Sequence, residues 1–339
     1  MRRSAPMKFR WRNNVRLSRR DIVALAGGVA ALPAASRLAL ADNYPSRPAR
    51  ILSGFPPGGI SDTYARLVAA WLSQQLGQQF IVENRPCAGG NLAAEGVAKA
   101  APDGYTLLLT TSADAWNATL YQNLNFDIVR DFAPVATISR GAGLLVVNPS
   151  LAVKSVPELI AYAKSNPGKL TVASAGVGSA PHMFWELFRS KTGVDIVHVP
   201  YRGGGPAVVD LLAGQVQVYF GTFASTIEQV RAGKLRALAV LSATRAAVLP
   251  DVPAVAEFIP GFEASIYVGI AAPRGTPADI VDKLSATIGS ALDDPGIRQR
   301  IAELGDTPLK LSAAEFTKLV AAETEKWAQV IRVSGVKAE

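Results

Sequence analysis

The sequence predicts an α/β protein on a parallel, doubly wound sheet. Apolar runs of strand length alternate with amphipathic helical patterns almost to the C-terminus. The runs at 143–148 and 236–241 are continuously apolar, as parallel strands covered on both faces are. Two stretches also share one strand–turn–helix design. Ala49–Ser53 leads through Gly54-Phe55-Pro56-Pro57-Gly58-Gly59 into a helix carrying Asp62, Tyr64 and Leu67. Leu170–Ser174 leads through Ala175-Gly176-Val177-Gly178-Ser179 into a helix carrying His182, Phe184 and Leu187. A helix N-terminus presents unpaired N–H groups and a partial positive charge, and glycines let an anion approach that backbone. Two such ends facing each other predict a clamp for a small anion.

In chain order, strands are expected at 49–54, 79–83, 105–110, 134–139, 143–148, 170–174, 195–199, 216–220, 236–241 and 264–271. Helices are expected at 61–76, 90–100, 155–166, 179–192, 204–213, 224–232, 277–292, 295–304 and 312–334. Ser61 or Asp62 caps the first helix and Gly77 ends it. Ser155-Val156-Pro157-Glu158 sets Pro near the start of its helix and Glu in the first turn, and Asn166-Pro167-Gly168 stops it. The Pro-rich stretch from Leu249 to Gly261 lacks periodicity and reads as a crossover.

The formal charge of +8 belongs to the leader. Residues 1–41 hold nine of the 35 Lys and Arg but one of the 27 acids, which leaves 26 of each sign for 42–339. No polybasic face remains to hold nucleic acid. Ser18-Arg19-Arg20-Asp21, an apolar run from Ile22 to Leu32 and Ala39-Leu40-Ala41 have the layout of a twin-arginine signal peptide over 1–41. The run is short for a membrane anchor. Cys87 is the only cysteine, so an exported chain must rely on its core rather than on an internal disulfide.

Two histidines, His182 and His198, stand without Cys or carboxylate at metal spacing, so neither a metal nor a cofactor is expected. The chain has no G-x-S-x-G elbow and no phosphate loop ending in Gly-Lys. A Ser179–His182 pair is the one hydrolase candidate. The competing reading, preferred here, makes Ser179 a helix cap and His198 a strand residue with a structural hydrogen bond.

Read end to end, the motifs Phe55-Pro56-Pro57-Gly58-Gly59, Val82-Glu83-Asn84-Arg85-Pro86, Ala88-Gly89-Gly90-Asn91, Ala101-Pro102-Asp103-Gly104-Tyr105, Asn166-Pro167-Gly168-Lys169, His198-Val199-Pro200-Tyr201-Arg202-Gly203 and Leu249-Pro250-Asp251-Val252-Pro253 resemble the tripartite tricarboxylate transporter substrate-binding proteins, the Bug (Bordetella uptake gene) family. The resemblance implies a type II periplasmic-binding-protein fold, with two doubly wound lobes closing on a ligand cleft. Lobe 1 would be 42–142 with 262–339, and lobe 2 would be 143–261. It implies a periplasmic, non-catalytic protein that takes a small carboxylate through backbone N–H groups and waters and delivers it to a membrane permease; with no extra interface segment visible, a monomer is expected. Carried onto this sequence, the ligand-binding residues are Phe55, Gly58, Gly59 and Asp62, Thr111 and Ser112, Ser174, Gly178 and Ser179, Tyr201 and Gly203, and Gly221 and Thr222. Asp62 also reads as a helix cap and Tyr201 as interface filler. The alternative role is that of a ligand sensor docking on a membrane receptor.

Three positions depart from the family pattern. Gly221 stands where Asp is common after the strand, Cys87 replaces a Gly, and Trp116 follows Thr111-Ser112-Ala113. An added indole beside a missing side chain is expected to suit an aromatic acid better than citrate.

Overall fold

One long strand organises the sheet. β4 (Phe132–Val147) runs unbroken for 16 residues where the sequence reading expects two strands. Its first part lies between β9 (Ser265–Pro273) and β10 (Asp306–Pro308). Its last part, Gly143–Val147, lies between β7 (Val218–Thr222) and β8 (Arg236–Val240). Beyond β9 come β3 (Thr106–Thr111), β1 (Ala49–Ser53) and β2 (Phe80–Asn84). Beyond β7 come β5 (Thr171–Ser174) and β6 (Val197–Pro200). The order is β2-β1-β3-β9-β4-β7-β5-β6. β4 thus passes from one half of the molecule to the other between Ala142 and Gly143. The computed structural model describes residues 44–338, and from Pro45 onward they belong to one compact unit. The leader expected at 1–41 lies outside the described residues.

The expectation of a parallel sheet needs correcting. β1 is parallel to β2 and β3, and β5 to β6 and β7, but β4 is antiparallel to every strand it pairs with. A continuous apolar run reports burial on both faces, not strand direction, and Leu144–Val147 are fully buried. Gly141 and Gly143, where the sequence reading leaves one strand and starts the next, meet a packing requirement. A Cβ on Gly141 would overlap the Asp306 carboxylate, and one on Gly143 would come within 2.7 Å of the Phe184 ring.

Helices cover both faces. α1 (Ile60–Leu76), α2 (Asn91–Ala98), α3 (Ser112–Leu120), α8 (Ala278–Ala291) and α9 (Pro295–Glu303) accompany the first half. α4 (Val156–Ser165), α5 (Ala180–Thr192), α6 (Gly204–Leu212) and α7 (Phe223–Arg231) accompany the second. α10 (Ala313–Ser334) packs against both. Its Trp327 meets Trp116 of α3 edge-on at 5.3 Å and Phe184 of α5 at 6.5 Å, and Arg189 of α5 donates to the Ser334 carbonyl at 2.7 Å. The Trp116 indole N–H then crosses to the carbonyl of Gly178, between β5 and α5, at 2.8 Å. Trp116→Phe keeps the ring packing but strips that carbonyl of its donor. Urea unfolding is expected to show a loss of about 1–2 kcal/mol, and an unchanged midpoint would remove the bond from the account of how the halves are joined.

A buried carboxyl sits at the crossing. Asp306 Oδ2 accepts from Tyr64 Oη at 2.8 Å and from Ser139 Oγ at 3.2 Å. Burial pushes the Asp306 carboxyl up to about 6, and the two hydroxyls offset only part of that. A raised carboxyl pKa means the folded state holds its proton more tightly than the unfolded chain. The associated strain is present above pH 6 and is relieved as pH falls through that value. Between pH 7 and pH 5 the wild type is expected to gain about 1 kcal/mol over Asp306→Asn. Paired denaturant titrations at the two pH values measure that gap, and a constant gap would mean Asp306 is not the titrating group.

Candidate functional site

The two Gly-rich turns fold in the same way. In the first, Gly58 has φ +81° and its N–H donates to Asp62 Oδ2, four residues on, at 2.9 Å. In the second, Gly178 has φ +77° and its N–H donates to His182 Nδ1, again four residues on, at 3.1 Å. Each turn is therefore clipped to the first turn of the helix that follows it. The positive φ is open to glycine at no steric cost.

Asp62 is held from three sides. Besides Gly58, it accepts from Arg66 Nε and Asn84 Nδ2, both at 3.0 Å, and Asn84 also donates to the Phe55 carbonyl at 3.0 Å. Burial acts to raise its carboxyl, but the bonds from Arg66, Gly58 and Asn84 outweigh that and hold it below the ordinary range. Its acceptor capacity is largely spent within the chain. The expected cap at Ser61 or Asp62 moves to Gly59, because the helix starts at Ile60 and both residues lie inside its first turn.

Behind the second turn lies a buried imidazole stack. His182 and His198 overlie each other at 4.2 Å with ring planes 9° apart, and Glu186 Oε1 lies 3.5 Å from His182 Nε2. His198 Nε2 meets Ser174 Oγ at 2.7 Å, the structural bond expected of it, and the same Oγ accepts from the Gly176 N–H at 3.2 Å. Burial, then the neighbouring His182, push His198 down to about 4, so it is neutral at pH 7. Ser179 occupies the N-cap position of α5, but its hydroxyl donates to the Gly176 carbonyl at 2.6 Å instead of accepting from the helix. The Ser179–His182 pair of the hydrolase reading is thus not formed, since each side chain is engaged elsewhere.

The helix starts differ in a telling way. α3, α4, α9 and α10 are capped by Thr111, Ser155, Asp294 and Ser312. The other six, α1, α2, α5, α6, α7 and α8, begin at Gly59, Gly90, Ser179, Gly203, Thr222 and Pro277 with no side-chain cap. Four of them, α1, α5, α6 and α7, are helices the sequence reading places at the ligand, as it does the capped α3. By helix geometry the first-turn amides of α1 at Ile60, Ser61 and Asp62, and those of α5 at Ala180 and His182, have no partner within their own helix.

The remaining sequence-derived residues fall into two groups. Tyr201 stays at the second turn. Its N–H donates to the Ser174 carbonyl at 3.0 Å and its hydroxyl to Asp210 at 2.8 Å. Gly203 starts α6 with φ +117°. Thr111 is spent in a capping box with Asp114. Ser112 is fully buried, with its Oγ accepting the Tyr267 N–H at 2.9 Å. Gly221 lies within β7 rather than after it, because the strand runs two residues later than expected. A Cβ there would come within 2.5 Å of the Tyr219 ring and 2.6 Å of the Thr226 methyl, so Gly221 opens no extra space. Thr222 follows at the strand end, its hydroxyl on Ser225 at 3.2 Å. Trp116 is buried against Trp327 and tied to Gly178, so it forms no flat wall for an aromatic acid, and that expectation loses both supports.

Sequence reasoning missed Asn84, His182 as a clip, and Asn117. Asn117 Nδ2 donates to the Gly89 carbonyl at 3.0 Å and to Asn91 Oδ1 at 2.9 Å. The shared Gly-x-x-x-Asp and Gly-x-x-x-His spacing was a signal for the clips. Among the described residues no group of three His, Cys, Asp or Glu is arranged to hold a metal ion, and no helix is long and apolar enough to cross a membrane.

Comparisons with known proteins agree with this architecture. Residues 64–336 match the family described as tripartite tricarboxylate transporter family receptor. The chain is 39% identical over 300 residues to protein BugT of Bordetella pertussis, covering 88% of this chain and 92% of that protein. It is 36% identical to a UPF0065 protein in the tcbD-tcbE intergenic region of Pseudomonas sp. strain P51, covering 91% and 92%. Among solved structures, Rpa4515 of R. palustris with adipate superposes with a TM-score of 0.80 at 37% identity, covering 87% of this chain and 99% of that one. The periplasmic binding protein BugD superposes with a TM-score of 0.78 at 32% identity, covering 87% and 100%. The fold is the two-lobed α/β arrangement of periplasmic binding proteins. The chain therefore belongs to the tripartite tricarboxylate transporter receptor family, a family of solute-binding receptors and not of enzymes.

Proposed function

We propose that this protein is an exported, periplasmic solute-binding protein. It acts as a monomer that captures a small carboxylate between lobe 1 (42–142 with 262–339) and lobe 2 (143–261) and delivers it to the permease of a tripartite transporter. The observation that carries this reading is the matched pair of clipped glycine turns, each opening onto a helix start that no side chain caps. The clips take the Gly58 and Gly178 amides, so the ligand is assigned to the amides that follow: Gly59 and the first turn of α1, and the first turn of α5. Asp62 acts by holding the first turn in shape, and Ser174 does the same for the second. Phe55, Tyr201, Gly203 and Thr222 line the space between, with waters completing the contacts. A relative's chemistry supports the ligand class. Besides the adipate-bound structure, MatC of Rhodopseudomonas palustris with bound malate superposes with a TM-score of 0.78 at 35% identity, covering 85% of this chain and 100% of that one.

A thermal-shift screen of the purified protein against di- and tricarboxylates, acidic amino acids and aromatic acids tests the reading. At a hundredfold excess over Kd, a ligand adds about 2.7 kcal/mol to the folded state, which raises the melting temperature by several degrees. One class of acid is expected to give that shift and to be recovered unchanged. Silence across the whole panel, in protein shown by mass spectrometry to carry no retained ligand, would sink the clamp. In Gly178→Leu the shift is expected to vanish while the unfolding transition persists. The new side chain meets a positive φ and Leu120 Cδ2 at 2.8 Å. A normal shift in that variant would move the ligand away from the second turn.

A further inference from the structure

We infer that Asn91 and Asn117 form an uncharged polar subsite that reads a hydroxyl group on the bound acid. The inference rests on the carboxylate reading above. Among the described residues, four buried side-chain atoms lack a hydrogen-bond partner: Ser53 Oγ, Asn91 Nδ2, Asn117 Oδ1 and Tyr267 Oη. Such atoms are rare in folded proteins, because each keeps its desolvation cost uncompensated. Three of the four gather at one corner. Ser53 ends β1, and the next residue, Gly54, packs its backbone against Gly90, where a Cβ would lie 2.9 Å from the Gly90 carbonyl oxygen. Asn91 follows Gly90 and opens α2, and Asn117 reaches it from α3. This is the carboxyl edge of β1 and β3, where open α/β sheets bind ligands.

The hydrogen bonds fix which atoms are open. Asn117 is fully buried and Asn91 is 6% exposed. Asn117 Nδ2 donates to both the Gly89 carbonyl and Asn91 Oδ1, so turning the Asn117 amide over would set its oxygen against two acceptors. Asn117 therefore keeps an unpartnered acceptor, and Asn91, whose oxygen is taken, an unpartnered donor, both of them buried atoms in this structure. The Asn117 oxygen lies 3.3 Å from where a Cβ on Gly89 would sit and 3.9 Å from where one on Gly178 would sit. It stands between the Gly89 turn of one half and the second clamp turn of the other.

The chemistry of that pair selects a ligand class. A second carboxylate accepts only, and would set its charge against the Asn117 oxygen. An ammonium donates only, and leaves the Asn91 N–H groups unanswered. A hydroxyl accepts from Asn91 and donates to Asn117, so the pair fits a hydroxy acid whose carboxylate lies on the clamp.

Calorimetric titration of the purified protein with acids that differ by one hydroxyl tests this: succinate against malate, glutarate against 2-hydroxyglutarate, tricarballylate against citrate. In at least one pair the hydroxylated member is expected to bind about ten- to a hundredfold more tightly. Asn117→Leu, close in size and unable to accept, is expected to shrink that ratio to about twofold or less. Asn91→Leu is the second variant should the first fail to fold by circular dichroism. Equal affinity within every pair that binds overturns the subsite and leaves the clamp standing. A preference that survives in a folded Asn variant overturns it too. A wild type that binds no acid loses clamp and subsite together.

Discussion

The structure depends on a backbone that must present N–H groups outward from a strand-to-helix turn without collapsing onto them. A turn of that kind is intrinsically loose, because glycine has more conformational freedom to lose than any other residue. The chain restrains it with one hydrogen bond in each half, from the turn glycine to a side chain in the following helix. The acceptor is a carboxylate in one half and an imidazole nitrogen in the other. Asp62 leaves little uncompensated charge near an incoming anion, since Arg66, Asn84 and Gly58 all donate to it. His182 serves the same purpose through the lone pair of its Nδ1. Two chemistries thus reach one geometry, and both leave the helix starts clear of side-chain caps.

The rest of the molecule joins the halves that carry those turns. β4 threads both halves as one strand, so the sheet is continuous through the crossing at Ala142 and Gly143. α10 then spans the same junction from outside, and its Trp327 links the Trp116 and Phe184 rings. Trp116 belongs to α3, whose capping box with Asp114 sets the angle at which the indole leaves β3. The route from the sheet to the second turn is therefore short: β3, the Thr111 cap, Trp116, and the carbonyl of Gly178.

Much of this was legible in the sequence, and the misses follow a pattern. Element positions, the two glycine turns and the structural role of His198 came from periodicity, spacing and residue type, which local chemistry dictates. The misses were long-range. The strands expected at 134–139 and 143–148 are one strand, and a sequence does not show that Asp306 and Phe184 occupy the space that side chains at Gly141 and Gly143 would need. Ser112 and Thr111 came as ligand residues from the family resemblance, and here a capping bond and the Tyr267 N–H engage their hydroxyls. Gly221 and Trp116 read as a wider pocket because side-chain size is visible in a sequence and its neighbours are not.

The same distinction bears on how ligand choice is encoded. A clamp of backbone amides recognises charge and position but hardly discriminates among acids, since every carboxylate offers it the same oxygens. Discrimination must then come from side chains that the fold leaves partly unsatisfied, because a polar group already paired within the protein gains nothing from the right ligand and loses nothing with the wrong one. Asp62, Ser174, Ser179 and Tyr201 are paired. Asn91 Nδ2 and Asn117 Oδ1 are not. On the subsite inferred above, selectivity rests on a pair of amides whose arrangement appears only once Gly89 and Gly178 are brought to either side of the same oxygen.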